Sequence, residues 1–393
     1  MFVLTASHKI ITARGLLACG LLLLPIGTTA QTPPPNDCSG ATPQLAAARA
    51  AEERSDWSAA LSNYQTALEH APRCVELLIN LGATHNRLGQ PEQAIVTFQR
   101  AATLNPNLAV AHLNLGITFF RARRYEDAGA ALARAVEIEQ SNVQARQMLA
   151  LTLIAREQFT EAAAQLEWVL AREESNRGVL LALGECYLRL KRYREAAERL
   201  GRLVQLDPNS AAARLRHGEA LDNSGESELA LGAFQRAVQL DARLSEAHYA
   251  LGYAFLKRGN LAEAASAFEA ELRLNPDMLL ARYHLGKVYL QQERLAEATE
   301  SLTRVVDASP EFRPGLEALG QALLKQKEAA RAVVMLERAV KLGPDWPDGH
   351  ALLGRAYMAA GRRAEAGRAF AMAQQLAARE RKRLEEKVDK QKP

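Results

Sequence analysis

Cut every 34 residues from Ala41, the chain yields ten segments through Glu380 with no insertion or deletion, and the twentieth residue of each segment is alanine: Ala60, Ala94, Ala128, Ala162, Ala196, Ala230, Ala264, Ala298, Ala332 and Ala366. The phrase AHLNLG at Ala111–Gly116 accordingly returns as AHYALG at Ala247–Gly252, four periods later. A period held without a slip means that one local unit is stacked on itself, so the prior of two or three independent domains for a chain of 393 residues does not apply.

The residue types within the period describe that unit. Position 8 is always Gly or Ala, position 7 is Leu in eight segments, and position 24 is always Leu, Phe or Tyr. Positions 4, 7, 8 and 11 share one face of a helix, and 17, 20, 24 and 27 share one face of the next. Small residues at 8 and 20 let the two helices approach, and the larger ones at 7 and 24 fill the space around the contact. Gly89, Gly225, Gly259 and Gly361 at position 15 suit a left-handed stop after the first helix. Proline at position 32, from Pro72 to Pro344 in six segments, prevents the second helix from running on. The expectation is an all-α array of ten 34-residue helix–turn–helix units over residues 41–380.

A unit with Leu-Gly at 7–8, Ala at 20, an aromatic residue at 24 and Pro at 32 resembles the tetratricopeptide repeat (TPR). The resemblance implies a right-handed superhelical solenoid whose first helices line a concave groove; with the N-terminal segment described next, the chain is read as an exported bacterial member of that family. Departures are Gln140, Glu174, Ala242 and Ala378 in place of Pro at 32, His217 where position 7 takes Leu, and Glu271 where position 27 takes a small residue. A carboxylate there is costly unless paired, and Arg282 is the nearest candidate by repeat logic, with Glu271 turned to solvent as the alternative.

The ends differ from the body. Lys9 and Arg14 precede the apolar run Gly15–Gly27, and small residues lead to Ala30, which is the order of a signal peptide over residues 1–30. An uncleaved membrane anchor is the alternative. A Pro-rich linker, 31–40, follows. The charged stretch 381–393 is expected to prolong the last helix. The net charge of +4 resides in Lys9, Arg14 and this tail, leaving the body close to neutral, which argues against nucleic acid as a partner. Cys38 and Cys74 flank the first helix pair, where antiparallel ends meet, and export permits a disulfide between them; two free thiols are the alternative.

No metal, nucleotide or nucleophile motif is present, and His112, His248 and His350 all occupy position 4 of separate repeats, too far apart to converge on a metal. The chain is read as a non-enzyme with no cofactor, no metal site and no small-molecule substrate. Its groove positions carry Leu113, Ile117, Phe120, Gln147, Leu151, Ile154 and Leu181 in repeats three to five. In repeats seven and eight they carry Tyr249, Tyr253, Tyr283 and Lys287. These residues either serve tight winding or form an exposed binding surface for a protein or peptide segment. The expected function is a scaffold in cell-envelope assembly, periplasmic or extracellular, that captures a partner segment. The alternatives are a self-associating structural array and an accessory subunit of an envelope polysaccharide or secretion machine.

Overall fold

The computed structural model describes residues 38–389; the expected signal segment 1–30 and linker residues 31–37 lie outside them. Among the described residues twenty α-helices follow a single 3-10 turn at Ser39–Ala41, and no strand occurs. The helices form two compact units, the first ending at Pro208 and the second starting at Asn209.

The first unit holds five antiparallel pairs: α1 (Thr42–Glu53) with α2 (Trp57–His70), α3 (Val75–Arg87) with α4 (Pro91–Leu104), α5 (Ala109–Arg121) with α6 (Tyr125–Ile138), α7 (Val143–Ala155) with α8 (Phe159–Leu170), and α9 (Arg177–Arg189) with α10 (Tyr193–Leu206). The second holds α11 (Ala211–Ser224) with α12 (Ser227–Leu240), α13 (Ala247–Lys257) with α14 (Leu261–Leu274), and α15 (Leu279–Gln291) with α16 (Leu295–Ala308). Its last pairs are α17 (Arg313–Lys325) with α18 (Ala329–Leu342), and α19 (Pro347–Ala359) with α20 (Arg363–Asp389). The last of these runs unbroken into the charged tail, in line with the missing proline at Ala378.

The packing rule is sharper than small residues at two positions. All ten position-20 alanines are fully buried. The position-8 glycines face the bulky residue at position 24 of the same repeat, which is why they lack a side chain. A Cβ on Gly82 would stand 2.6 Å from the Phe98 ring, one on Gly184 2.5 Å from Leu200, and one on Gly252 2.9 Å from Phe268. Glycine at 8 therefore pairs with Leu or Phe at 24.

The stop after each first helix is left-handed in all ten repeats. The four position-15 glycines have φ of 71 to 95°, and Ser55, Arg123, Glu157, Lys191, Glu293 and Lys327 adopt φ of 57 to 63° at the same position. Backbone closure imposes this conformation even where the side chain carries a steric penalty of about 1 kcal/mol or more.

In the repeats where position 4 is His112, Arg146, His248, Arg282 or His350, that residue caps the turn between repeats. The Nε2 atoms of His112, His248 and His350 donate to the carbonyls of Pro106, Ala242 and Pro344 at 3.1, 3.0 and 2.9 Å. Arg146 does the same to the Gln140 carbonyl, and Arg282 to that of Pro276. The carbonyl at position 32 is thus satisfied with or without proline.

A second circuit joins successive repeats. Tyr289 and Tyr357 donate to Glu269 and Glu337 of the preceding second helix at 2.7 and 2.8 Å, and Tyr187 donates to Glu167. Arg294, Arg362 and Arg192 cover those rings at 4.2, 4.5 and 4.4 Å and reach Glu297, Glu365 and Glu195. Burial, then the carboxylate bond, pushes each of these phenols up to about 12.

Glu271 corrects the expected pair with Arg282, whose guanidinium is spent on the Pro276 carbonyl. Glu271 is fully buried and turns back toward the first helix of its own repeat. It accepts from the backbone N–H groups of Glu246 and Tyr249, both at 3.3 Å, and from the Asn275 amide. The helix N-terminus supplies the positive field that the carboxylate needs. The consequence is local: α13 begins at Ala247, two residues later than the repeat predicts, and Glu246 takes a left-handed φ of 69°.

At the first repeat a disulfide joins Cys38 to Cys74 across 36 residues, with Cα atoms 5.1 Å apart. Cys186 is buried, and burial pushes its thiol up to about 12, which makes it unreactive.

Candidate functional site

Within each unit the first helices of neighbouring repeats touch one another, as α3 meets α5 and α13 meets α15, whereas second helices pack chiefly on first helices. The row of first helices is therefore the inner, concave face of each unit, and its outward-turned side chains are the available surface.

The expected surface is only partly available. In the first unit Leu113, Phe120 and Leu151 are buried; Ile117, Gln147, Ile154 and Leu181 are half-buried. In the second unit Tyr249 is 4% exposed, which corrects its expected role as an open contact residue. The reason is the direct contact between first helices: residues on the side facing the neighbouring helix fill that seam, and only those turned away from it face the groove. Phe120 packs on Tyr125, the first residue of the second helix of its own repeat, with ring centroids 5.5 Å apart.

The second unit concentrates aromatic rings in one place. Tyr249 and Tyr253 lie 6.4 Å apart with nearly parallel planes, and Phe268 stands 5.8 Å from Tyr249. His284, at position 6 of repeat eight, sits among them, 5.3 Å from Tyr253, 5.7 Å from Phe268 and 5.1 Å from Tyr283. Tyr283 continues the cluster to Phe312 at 5.2 Å. Burial, helped by the Lys287 charge, lowers the His284 imidazole to about 4, so the ring is neutral and packs as an aromatic. The sequence reading missed His284 because it weighed histidines by shared position, and this one has no counterpart in other repeats.

Tyr253, Tyr283 and Lys287 form the half-buried upper layer of this cluster. The Lys287 ammonium lies 5.6 Å above the Tyr283 ring, a cation–π contact, and has no carboxylate within 4 Å among the described residues. Burial, with the Glu317 charge, pushes the Tyr283 phenol up to about 12, so it is a donor at neutral pH. Unlike Tyr187, Tyr289 and Tyr357, neither Tyr253 nor Tyr283 spends its hydroxyl on a glutamate. Flat apolar faces, two donor hydroxyls and an ammonium suit a segment that presents apolar side chains and hydrogen-bond acceptors. Among the described residues no group of three or more metal-ligating side chains occurs, and no helix is long and apolar enough to cross a membrane.

Two family models, both described as tetratricopeptide repeat, match the chain: one at residues 45–109 and 249–311, the other at 85–152 and 153–217. Solved structures similar to it include the C-terminal part of a TPR repeat-containing protein from Cytophaga hutchinsonii. That structure is 14% identical, with a TM-score of 0.51 over 60% of this chain and 96% of that one. YrrB, a TPR protein with an unusual peptide-binding site, is 25% identical over 47% of this chain and 95% of its own, at a TM-score of 0.43. MamA is likewise 25% identical over 47% of this chain and 97% of its own, at 0.38. None of the curated proteins matches.

Proposed function

The chain belongs to the tetratricopeptide repeat family, and on that premise we propose that it is a non-catalytic interaction scaffold that holds a segment of a protein partner against its inner row of first helices. The observation that carries this reading is the pairing of Tyr253 and Tyr283, whose hydroxyls are not spent on a glutamate, with the Lys287 ammonium, which makes no direct ion pair among the described residues and has Glu317 as its nearby counter-charge. The expected contacts in the second unit are Tyr253, Tyr283 and Lys287, and in the first Ile117, Gln147, Ile154 and Leu181. Tyr249 supports the second set from below.

The proposal includes export to a cell envelope. Its support is the order of basic, apolar and small residues before Gln31, together with a Cys38–Cys74 disulfide of the kind that oxidising compartments favour. Mass analysis of the native protein should find Gln31 as its first residue; an intact Met1 overturns the cleaved form.

The test of capture is Tyr253→Ala combined with Lys287→Ala. A partner is isolated on the wild-type chain from native envelopes, and its affinity for both proteins is then measured beside their thermal melts. Loss of ~1–2 kcal/mol of binding per contact at near-constant melting supports the reading. Undiminished binding by the variant sinks it, and a sedimenting mass that rises with concentration, with no partner retained, favours self-association.

A further inference from the structure

The ring cluster of the second unit holds its two half-open tyrosines in fixed attitudes. Tyr253 on α13 lies within 17° of parallel to the buried Tyr249 and meets the His284 ring edge-on at 5.3 Å. Tyr283 on α15 meets the same His284 ring at 5.1 Å and stands at right angles to Phe312 at 5.2 Å. His284 in turn lies parallel to the fully buried Phe268, 5.7 Å away, so its opposite face turns from the core. A slot results, walled by Tyr253 and Tyr283 and floored by the half-buried His284.

The polar groups left over at this slot can all donate. The Tyr253 and Tyr283 hydroxyls make no hydrogen bond with any described residue. Lys287, one turn on from Tyr283, places its ammonium 5.6 Å over that ring. The carboxylate beside them, Glu317, already takes the Gln321 amide at 3.2 Å and is the counter-charge of Lys287. A segment rich in backbone N–H groups finds little here to accept them, whereas carbonyls that lack an internal partner find three donors. The spacing is equally selective. Neighbouring packed helices such as α13 and α15 lie ~8–10 Å apart. A polyproline II helix has three residues per turn and advances ~9 Å per turn, so a segment crossing this row repeats at the spacing of the helices.

We propose that the slot between Tyr253 and Tyr283 binds a proline-rich segment of the protein partner in the polyproline II conformation, running across α13 and α15 so that residues three apart meet successive repeats. This rests on the capture reading and names the class of segment captured. Proline rings are compact apolar bodies that pack on aromatic faces. They bring no N–H that would be left unpaired. The carbonyls of a polyproline II backbone make no internal hydrogen bond, so they are free to accept from the two hydroxyls and the Lys287 ammonium. Both sides are stiff before they meet, the rings through their mutual packing and the segment through its prolines, which keeps the ordering cost of binding low.

Two fluorescein-labelled nonapeptides test it on the intact chain, one of prolines alone and one of alternating alanine and glutamine. The proline peptide should bind about tenfold tighter. On its addition the ring protons of Tyr253 and Tyr283 should shift saturably in NMR spectra, while those of Tyr289 and Tyr357, held by glutamates, stay in place. Tyr253→Phe with Tyr283→Phe keeps the rings and their packing and removes only the two donors. Proline binding should then fall about tenfold, the worth of two ordinary hydrogen bonds, at unchanged melting. Equal affinity for the two peptides, a shift shared by all tyrosines, or full affinity in the Phe variant overturns the proposal. If a partner isolated on the wild-type chain loses affinity for the Tyr253→Ala, Lys287→Ala variant but is not displaced by the proline peptide, capture stands and the proline-rich class fails. If neither partner nor peptide binds, both readings fail. A sedimenting mass that rises with concentration and is reversed by the proline peptide makes Pro33–Pro35 of a second copy the occupant, and overturns a separate partner.

Discussion

Replacing Glu271 by Gln and by Ala should cost stability in an order that side-chain volume does not predict. Glu271→Gln keeps the shape but turns one acceptor oxygen into a donor group. The carboxylate receives N–H groups from Glu246 and Tyr249 and the amide of Asn275, so the new donor faces a donor wherever it is placed. Each hydrogen bond to a buried charge is worth roughly 1.5–3 kcal/mol, and the helix N-terminus adds up to ~2 kcal/mol for a negative charge in such a geometry. Against desolvation of the native carboxylate, a net loss of about 3 kcal/mol is expected for the Gln variant. Glu271→Ala instead restores the residue type found at this position in Ala101, Ala135, Ala237 and Ala339. It frees the first turn of α13 to rewind toward Ser245, whose carbonyl then accepts the Tyr249 N–H. The Glu246 N–H, a first-turn donor, is left to water, so the expected cost is only about 1–2 kcal/mol. Urea unfolding measures the totals, and amide exchange at Glu246 and Tyr249 locates the effect, since a repeat array opens locally. A Gln variant within ~1 kcal/mol of wild type, or an Ala variant more damaged than the Gln variant, refutes the argument.

Gly184→Ala places a methyl 2.5 Å from Leu200 and should cost about 1–3 kcal/mol despite the better helix propensity of alanine, read by urea unfolding; an unchanged midpoint contradicts the pairing of positions 8 and 24. The His284 imidazole lies at about 4 in the folded chain against 6.5 unfolded, so its contribution is complete above pH 6.5 and is lost as pH falls toward 4. The full loss is about 3 kcal/mol, and in pH-dependent unfolding His284→Phe should flatten that part of the profile. Reducing the Cys38–Cys74 bond opens a 36-residue loop, for which chain entropy gives about 4 kcal/mol. Amide exchange should then accelerate in α1 and α2 and leave the later repeats of the first unit unchanged.

The helix–turn–helix unit was legible because its chemistry repeats. Ala60 alone says little, but ten alanines at one position report a contact that nothing larger fits, and Pro72 to Pro344 mark where second helices stop. The left-handed residue at position 15 was legible only at the four glycines. Arg123, Lys191 or Lys327 carry no such signal, because closure of the turn, and not the side chain, sets their φ. The site was less legible for the same kind of reason. Periodicity assigns a residue to an angular sector of its helix, which placed Tyr249 and Tyr253 together, four residues apart. It cannot tell which side of that sector the neighbouring first helix covers. That contact buried Tyr249 and left Tyr253 half-open. Nor can a period describe a residue that breaks it. Glu271 and His284 each occur once, and their partners are a displaced helix start and a ring cluster drawn from successive repeats. Local pattern thus decides the unit and its stacking, because each depends on short-range spacing that the chain repeats ten times. The burial of each inner-face residue and the partners of each exception depend on the packing between neighbouring repeats, which exists only once they are stacked.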